Sequence, residues 1–341
     1  MRIGIIAPPW TPVPPALYGG IELVVDQLAR GFVAAGHSVT LFTTGDSTCP
    51  VPKKWILDTA EGKRLGMAVP ELRHVMHAYE ALGHQDIIHD HTVIGPVMQE
   101  LHRGVPVVTT IHGPFNDELT DIYSRIADKV PIIAISNAQR NSAPNVPVAT
   151  VIHHGIEASD FPMGDGSGGY LLFLGRMSPE KGAHRAIRVA RQAGMPLYMA
   201  AKMREAWEIQ YFKEQVEPLL GDDAQYLGEV PHSQKLELLA GAVGLLFPIR
   251  WNEPFGMVML EALACGTPVI AFPEGSVPEV IEDGKTGFIC DNEEEMVAAV
   301  HKLGDIDRQT CRQTTETRLS ASRMVQDHLK LFDALVTKHQ P

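Results

Sequence analysis

The chain lacks any clustered run of lysine and arginine: 29 basic residues against 41 acidic ones leave a formal charge of −12 over 341 residues. A nucleic-acid footprint or an anionic-membrane patch therefore has little support, and any anionic ligand must be met locally. Cysteine is scarce too. Cys49, Cys265, Cys290 and Cys311 are widely spaced with no C-x-x-C pair, so neither a zinc knuckle nor a disulfide framework is expected and the thiols read as reduced and structural. No stretch reaches the roughly 18 apolar residues of a membrane span, and Pro8 and Pro9 cut the opening apolar run short of a signal peptide. A cytoplasmic location is expected, with peripheral membrane contact left open. Also absent are a G-x-G-x-x-G run close behind the first strand, G-x-S-x-G, H-E-x-x-H and a full P-loop G-x-x-x-x-G-K-[ST]. The usual signals of a nicotinamide dehydrogenase, an α/β hydrolase, a zinc protease and a P-loop NTPase go with them.

What is present is ordinary globular composition, 45% apolar and 21% charged, in a chain long enough for two domains. Residues 3–7, 38–43, 86–89, 105–111 and 131–135 read as short buried strands, with a helical pattern over 20–35 and further helix-like stretches between them. Residues 155–169 turn rich in Gly, Asp, Ser and Pro, which suits a connection between compact units. Strand-like runs then resume at 170–174, 196–200, 225–227, 244–247 and 267–271, and the pattern is helical from 291 to the end. Met195, Met199 and Met203 recur every four residues, but Pro196 breaks that run as a helix and the three read as core filler. Alternation of this kind predicts an α/β protein of two Rossmann-like, doubly wound parallel-sheet domains facing across a cleft. The expected units are 1–155 and 156–320, with 321–341 a helix packing back on the first. Loops after the strands should then hold the chemistry.

The strongest constellation is Asn252-Glu253-Pro254-Phe255-Gly256-Met257-Val258-Met259-Leu260-Glu261-Ala262. Pro254 fits a first helical turn, which places Glu253 at a helix entrance and Glu261 roughly 12 Å further along. A nucleoside diphosphate sugar is long enough to touch both. Its sugar would meet Glu253, its diphosphate the free N–H groups of Gly256, Met257 and Val258, and its ribose Glu261. The apolar setting of Glu261 argues against a merely solvated acid. Arg176 and Lys181, in Gly175-Arg176-Met177-Ser178-Pro179-Glu180-Lys181-Gly182, supply a phosphate-gripping fork and a compact charge. Together they could replace the divalent metal that often neutralises a diphosphate leaving group.

In the first half, Tyr18-Gly19-Gly20-Ile21-Glu22 opens the first helix, where Gly19 and Gly20 let backbone amides approach a phosphate, although such a pair is more often a turn. His112 follows a buried strand and fits a sugar contact or a satisfied core histidine equally well. His89 and His91 share a strand face, which permits a metal in principle. Without a third ligand at convincing spacing, structural roles are preferred. Asp90 reads as the polar end of a strand, and His91 and Glu22 as residues of a cleft rim.

These motifs, with Thr110-Ile111-His112-Gly113 and Gly266-Thr267-Pro268-Val269-Ile270, resemble those of the retaining nucleotide-sugar glycosyltransferases of the GT-B fold. That family-four group contains sucrose synthases and bacterial mannosyl- and glucosyltransferases, and the resemblance spans almost the whole chain. It implies an acceptor side in 1–155 and a donor side in 156–320. Arg176 and Lys181 would bind the donor diphosphate, Glu253 hydroxyls of the transferred sugar and Glu261 the ribose. Gly20 would let the first domain close over the phosphates, and His112 would sit beside the sugar's reacting carbon. It further implies transfer of a hexose with retention to a hydroxyl acceptor, no bound metal and no cofactor, the nucleotide sugar being substrate. UDP is the first choice of base carrier, and residues 228–231 are the expected base contact. The competing expectations are a sugar-nucleotide epimerase or hydrolase of similar architecture, and a non-catalytic sugar-nucleotide binding protein.

Overall fold

The computed structural model describes residues 1–17, 19–101 and 104–339, without the side chains of 100 and 101. Strands and helices alternate along it. The first series is β1 (Arg2–Ile6), α1 (Gly20–Ala34), β2 (Ser38–Phe42), β3 (Lys53–Lys54), α2 (Ala68–Leu82), β4 (Ile87–Asp90), β5 (Val107–Ile111), α3 (Asp117–Ile126), β6 (Ile132–Ala134), α4 (Asn137–Ser142) and β7 (Val148–Val151). The second is β8 (Leu171–Arg176), α5 (Ala183–Gln192), β9 (Leu197–Lys202), α6 (Ala206–Tyr211), β10 (Ala224–Gly228), α7 (His232–Gly241), β11 (Gly244–Phe247), α8 (Met257–Ala264), β12 (Val269–Ala271), α9 (Val277–Val280), β13 (Gly287–Ile289), α10 (Glu293–Val300) and α11 (Arg308–Thr317). A last helix, α12, spans Ala321–His339.

Two compact units result, one of Met1–Gly155 with Ala321–Pro341, the other of Ile156–Ser320. Each is built on one fully parallel sheet, ordered β3-β2-β1-β4-β5-β6-β7 in the first and β10-β9-β8-β11-β12-β13 in the second. Helices cover both faces of such a sheet, so its strands are apolar without alternation: β5 is buried at all five positions and β8 at five of six. The order reverses between β1 and β4 in the first sheet and between β8 and β11 in the second. Those are the switch points where the strand ends splay and leave room for a ligand.

In the first unit α1 buries Val24, Val25, Leu28, Ala29 and Phe32. α12 closes against it: Phe32 and Phe332 sit 5.4 Å apart by ring centroid, and Gly31 is small because a Cβ there would run into Val325. In the second unit α5 lays Ala183, Ala186, Ile187 and Ala190 on Leu171, Phe173 and Met199, with Met195 and Met203 packed at the margin of the same cluster. All four cysteines are free and buried. Among the described residues no helix is long and apolar enough to cross a membrane.

Three expectations need correction. The Gly-rich stretch at 155–169 is not a free connection, because Gly164, Gly166 and Gly168 hydrogen-bond the backbones of Cys265, Ala240 and Gly241. Their missing side chains let the segment lie directly on the second unit. The continuous helical pattern expected from 291 is broken into α10, α11 and α12, the last of them the helix expected at 321–341. Finally β3, β7 and β13 were not anticipated: at two to four residues they are too short for a periodic signal.

Candidate functional site

At the switch point of the second sheet, β8 ends in Arg176 and the turn that follows carries Lys181 to a side chain only 11% exposed. Lys181 Nζ is ion-paired and hydrogen-bonded to Glu253 Oε2. Trp251 Nε1–H donates to the same oxygen at 2.9 Å, and the ammonium lies 4.6 Å from the centroid of the Trp251 ring. Two residues separated by 72 positions thus form one buried, tightly held pair. Trp251 was not foreseen, although it stands two residues before Glu253 in the same loop.

Pro254 does not begin a helix. Residues 251–256 form an irregular loop after β11, and α8 starts only at Met257 behind Gly256, whose φ of +78° favours glycine. The loop keeps its own shape because Phe255 is buried and its carbonyl accepts from Ser276 Oγ at 2.8 Å. The helical rise between Glu253 and Glu261 assumed above therefore does not apply. The start of α8 is nonetheless open. Gly256 caps α8 without a side-chain bond, and among the described residues no protein acceptor meets the N–H groups of Gly256, Met257 and Val258. Unsatisfied donors at a helix start carry partial positive charge and attract anions.

Gly275 sets the position of Glu253 and was missed by the sequence reading. Its φ is +57°, a Cβ there would strike the backbone N and O of Glu253, and the neighbouring Ser276 N–H donates to the Glu253 carbonyl at 3.0 Å. Gly275→Ala should cost about 1–3 kcal/mol of stability and push the Glu253 loop outward. Calorimetry alongside turnover checks this, and an alanine variant with unchanged melting and rate would refute it.

Glu261 lies on α8 at 4% exposure, and Lys235 of α7 donates to its Oε1 at 2.5 Å. Lys235 is another partner that sequence reasoning did not find. Arg176, half exposed, reaches Glu180 Oε1 at 3.1 Å and Glu208 Oε1 at 3.6 Å, and stacks 5.3 Å from the Trp207 ring centroid. At the end of β10, in the region expected to meet a base, Glu229 is gripped by both its oxygens on Arg204, at 2.9 and 2.8 Å.

The first unit has its own cluster at its switch point. Tyr18 lies outside the described residues. Gly19 caps α1, and a Cβ on it would press on Pro15. Glu22 and His91, expected on a rim, are 5% and 3% exposed. Asp90 is, as expected, the polar end of β4, and it is fully buried, taking bonds from Tyr79 Oη at 2.7 Å and from the Thr92 N–H and hydroxyl. Burial raises its carboxyl to about 6.

Beside it run five imidazoles in sequence. By ring centroid His328 to His89 is 5.1 Å, His89 to His91 4.0 Å, His91 to His112 5.1 Å and His112 to His154 5.2 Å. Burial pushes all five down, His112 to about 3 and His328 to about 4. Neighbouring imidazoles add to the depression of every ring but His328. His154 and His328 come from distant segments and gave no sequence signal. Among the described residues no group of three or more His, Cys, Asp or Glu side chains is placed to hold a metal ion.

Two family models match the chain. One described as glycosyl transferases group 1 covers residues 165–318, and one described as glycosyltransferase family 4 covers residues 18–160. The glycogen synthase of Mycobacterium tuberculosis is 27% identical over 334 residues, covering 81% of this chain and 80% of that protein. The phosphatidyl-myo-inositol mannosyltransferase of Mycolicibacterium smegmatis is 26% identical, covering 88% and 84%. Among solved structures, the sucrose-phosphate synthase of Thermosynechococcus elongatus superposes with a TM-score of 0.82 at 18% identity, over 99% of both chains. HepE of Anabaena in complex with UDP and glucose gives 0.78 at 19% identity, over 98% and 100%. At that identity the two structures establish the fold alone.

Proposed function

The chain belongs to the group 1 glycosyltransferases, an enzyme family of GT-B architecture, and on that premise we propose that it moves a hexose from a UDP-linked donor to a hydroxyl acceptor, with retention and without a bound metal. The observation that carries the reading is the open start of α8, with three N–H groups lacking protein acceptors among the described residues, behind the loop whose Glu253 pairs with Lys181. An anion arriving there finds helix donors and a buried ammonium together, and the sugar attached to it finds a carboxylate. Four buried free thiols suit a reducing cytoplasm, which we take as its place of work.

The chemistry follows from the placement of charge. As the bond from the anomeric carbon to the diphosphate breaks, its electron pair passes to the phosphate oxygens. Lys181, Arg176 and the α8 N–H groups stabilise that growing charge. The acceptor hydroxyl bonds the anomeric carbon from the face the diphosphate leaves, and its proton goes to the departing phosphate. Glu253, sharing Lys181 with the phosphate, accepts hydrogen bonds from sugar hydroxyls and fixes the ring. Glu261, steadied by Lys235, accepts from the ribose.

A thermal-shift series with UDP, GDP, ADP and their sugar conjugates tests the donor, since melting rises with ligand affinity. The largest rise should come from UDP and its conjugates. Product analysis tests the rest: donor consumption requires an acceptor, the new linkage keeps the donor's anomeric configuration, and a chelator leaves the rate unchanged. Acceptor-independent consumption would refute transfer. Within the site, Glu261→Ala should weaken UDP binding by about tenfold, roughly 1.4 kcal/mol. Glu253→Gln should leave UDP affinity within about threefold and lower kcat by about 10²-fold. Equal effects on UDP affinity would refute this division of roles.

A further inference from the structure

His91 Nδ1 and His112 Nε2 lie 2.8 Å apart, a hydrogen bond between two neutral rings that needs one donor and one acceptor. Each ring carries a single proton, so the choice at this bond fixes both rings. Two other buried histidines of this unit show how the fold places such protons. In His328 the bond from Nδ1 to the Met324 carbonyl, at 2.8 Å, forces the proton onto Nδ1 and leaves Nε2 as a buried lone pair. In His74 the bond from Nε2 to the Ala7 carbonyl forces the reverse, again with the lone pair unpartnered. Wherever the partner decides, the buried orphan is a lone pair rather than an N–H.

Nε2 of His91 is likewise buried without a partner. An orphaned N–H is the rarer defect in a protein interior. With Nε2 bare, the His91 proton sits on Nδ1 and is donated to His112 Nε2. The one proton of His112 must then be on its Nδ1, the nitrogen that has no protein partner among the described residues, on a ring that is partly exposed. Stacking on His154, with ring planes 21° apart, holds the ring in that pose.

We propose that His91 is a positioning residue that fixes the tautomer of His112, so that His112 offers Nδ1–H as a neutral hydrogen-bond donor to a sugar hydroxyl at the switch point of the first sheet. The sugar contact rests on the reading of the protein as a UDP-sugar transferase, whereas the tautomer does not. On this assignment His112 is not a base: its outward nitrogen is already protonated, its inward one is occupied, and burial keeps the ring neutral at working pH.

The test uses the wild-type chain labelled with ¹⁵N-histidine, with the His112 signals identified from a His112→Gln variant. Two-bond proton–nitrogen correlations near pH 7.5 should show His112 protonated at Nδ1 and bare at Nε2. The opposite tautomer or a charged ring would overturn the proposal. His91→Leu removes the donor and should give His112 a mixed tautomer, lower kcat by about tenfold or more and leave UDP affinity unchanged. His91→Asn, whose amide nitrogen falls where Nδ1 was, should restore the tautomer and most of kcat. Leucine and asparagine variants that are both folded and equally impaired would overturn it. If the wild-type protein turns over no UDP-sugar, the transferase reading fails while the spectrum still decides the tautomer.

Discussion

Lys181→Ala should lower kcat/KM for the donor by about 10³-fold while leaving a protein that melts earlier than the wild type. The kinetic loss follows from the role of the ammonium. A preorganised group facing charge that develops in the transition state is worth about 10²–10³ in rate, and in the proposed reaction Lys181 would additionally help hold the donor. The loss of stability has a separate origin. Glu253 is 7% exposed, and without Lys181 its carboxylate keeps only the Trp251 N–H. Breaking a buried pair by removing one partner costs about 3–5 kcal/mol, because the remaining charge is left uncompensated. Lys181→Ala combined with Glu253→Gln separates the two effects. Neutralising the carboxylate should recover most of the melting temperature and none of the rate. If the double variant regains activity together with stability, Lys181 is a structural partner of Glu253 and nothing more. Adding Arg176→Ala should abolish turnover. Arg176→Ala alone should also lower stability, because one of its two carboxylate partners, Glu208, is buried and loses its nearby positive charge.

The second large effect is on pH. The five stacked histidines have folded-state pKa values pushed below the ordinary value near 6.5. As pH falls below 6.5 the unfolded chain takes up protons that the fold refuses. The stability held above that pH is then lost, at about 1.4 kcal/mol per histidine per pH unit. Two carboxyls act in the opposite sense. Asp90, raised to about 6, and Glu71, raised by its burial, bind protons in the fold before they do in the unfolded chain. They offset part of the loss until pH falls through their ordinary values near 4. Arg323, which lowers His328, and Asp327, which raises it, complete the charged surroundings of that end of the column. The net expectation is a marked fall in stability between pH 6 and 5, because the depressed imidazoles outnumber the two raised carboxyls. It should appear as acid unfolding of the unit containing Met1–Gly155 ahead of the other. Hydrogen exchange followed by mass spectrometry across pH 7 to 4.5 would show which unit opens first. Equal protection in both units at pH 5 would contradict the assignment.

The parallel sheets could be read from the sequence because strands covered on both faces leave apolar runs that need no partner to be recognised, as at residues 3–7 and 244–247. The candidate site was legible where one stretch of chain carries several of its parts, and Gly256 to Val258 followed by Glu261 is the clearest case. What escaped was supplied from elsewhere in the chain. Lys235 answers Glu261 across 26 positions, Gly275 braces Glu253 across 22, and His328 joins His89 from a helix more than 200 residues away. No local pattern marks such residues, because their reason is a neighbour in space. Pro254 misled for a related reason. Its local preference for a first helical turn is real, but the burial of Phe255 and its bond from Ser276 outweigh that preference and delay the helix to Met257.

The return of α12 to the first unit has a consequence for biosynthesis. Phe332 and His328 complete the packing around Phe32 and His89, yet they are synthesised only after the whole of residues 156–320. Residues 1–155 emerge first and must wait with that part of their core uncovered, while residues 156–320 hold all of their own sheet and can close beforehand. The usual N-to-C order of domain maturation is therefore inverted in this chain. A nascent chain stalled before Ala321 should already contain a finished C-terminal unit tethered to an unfinished N-terminal one.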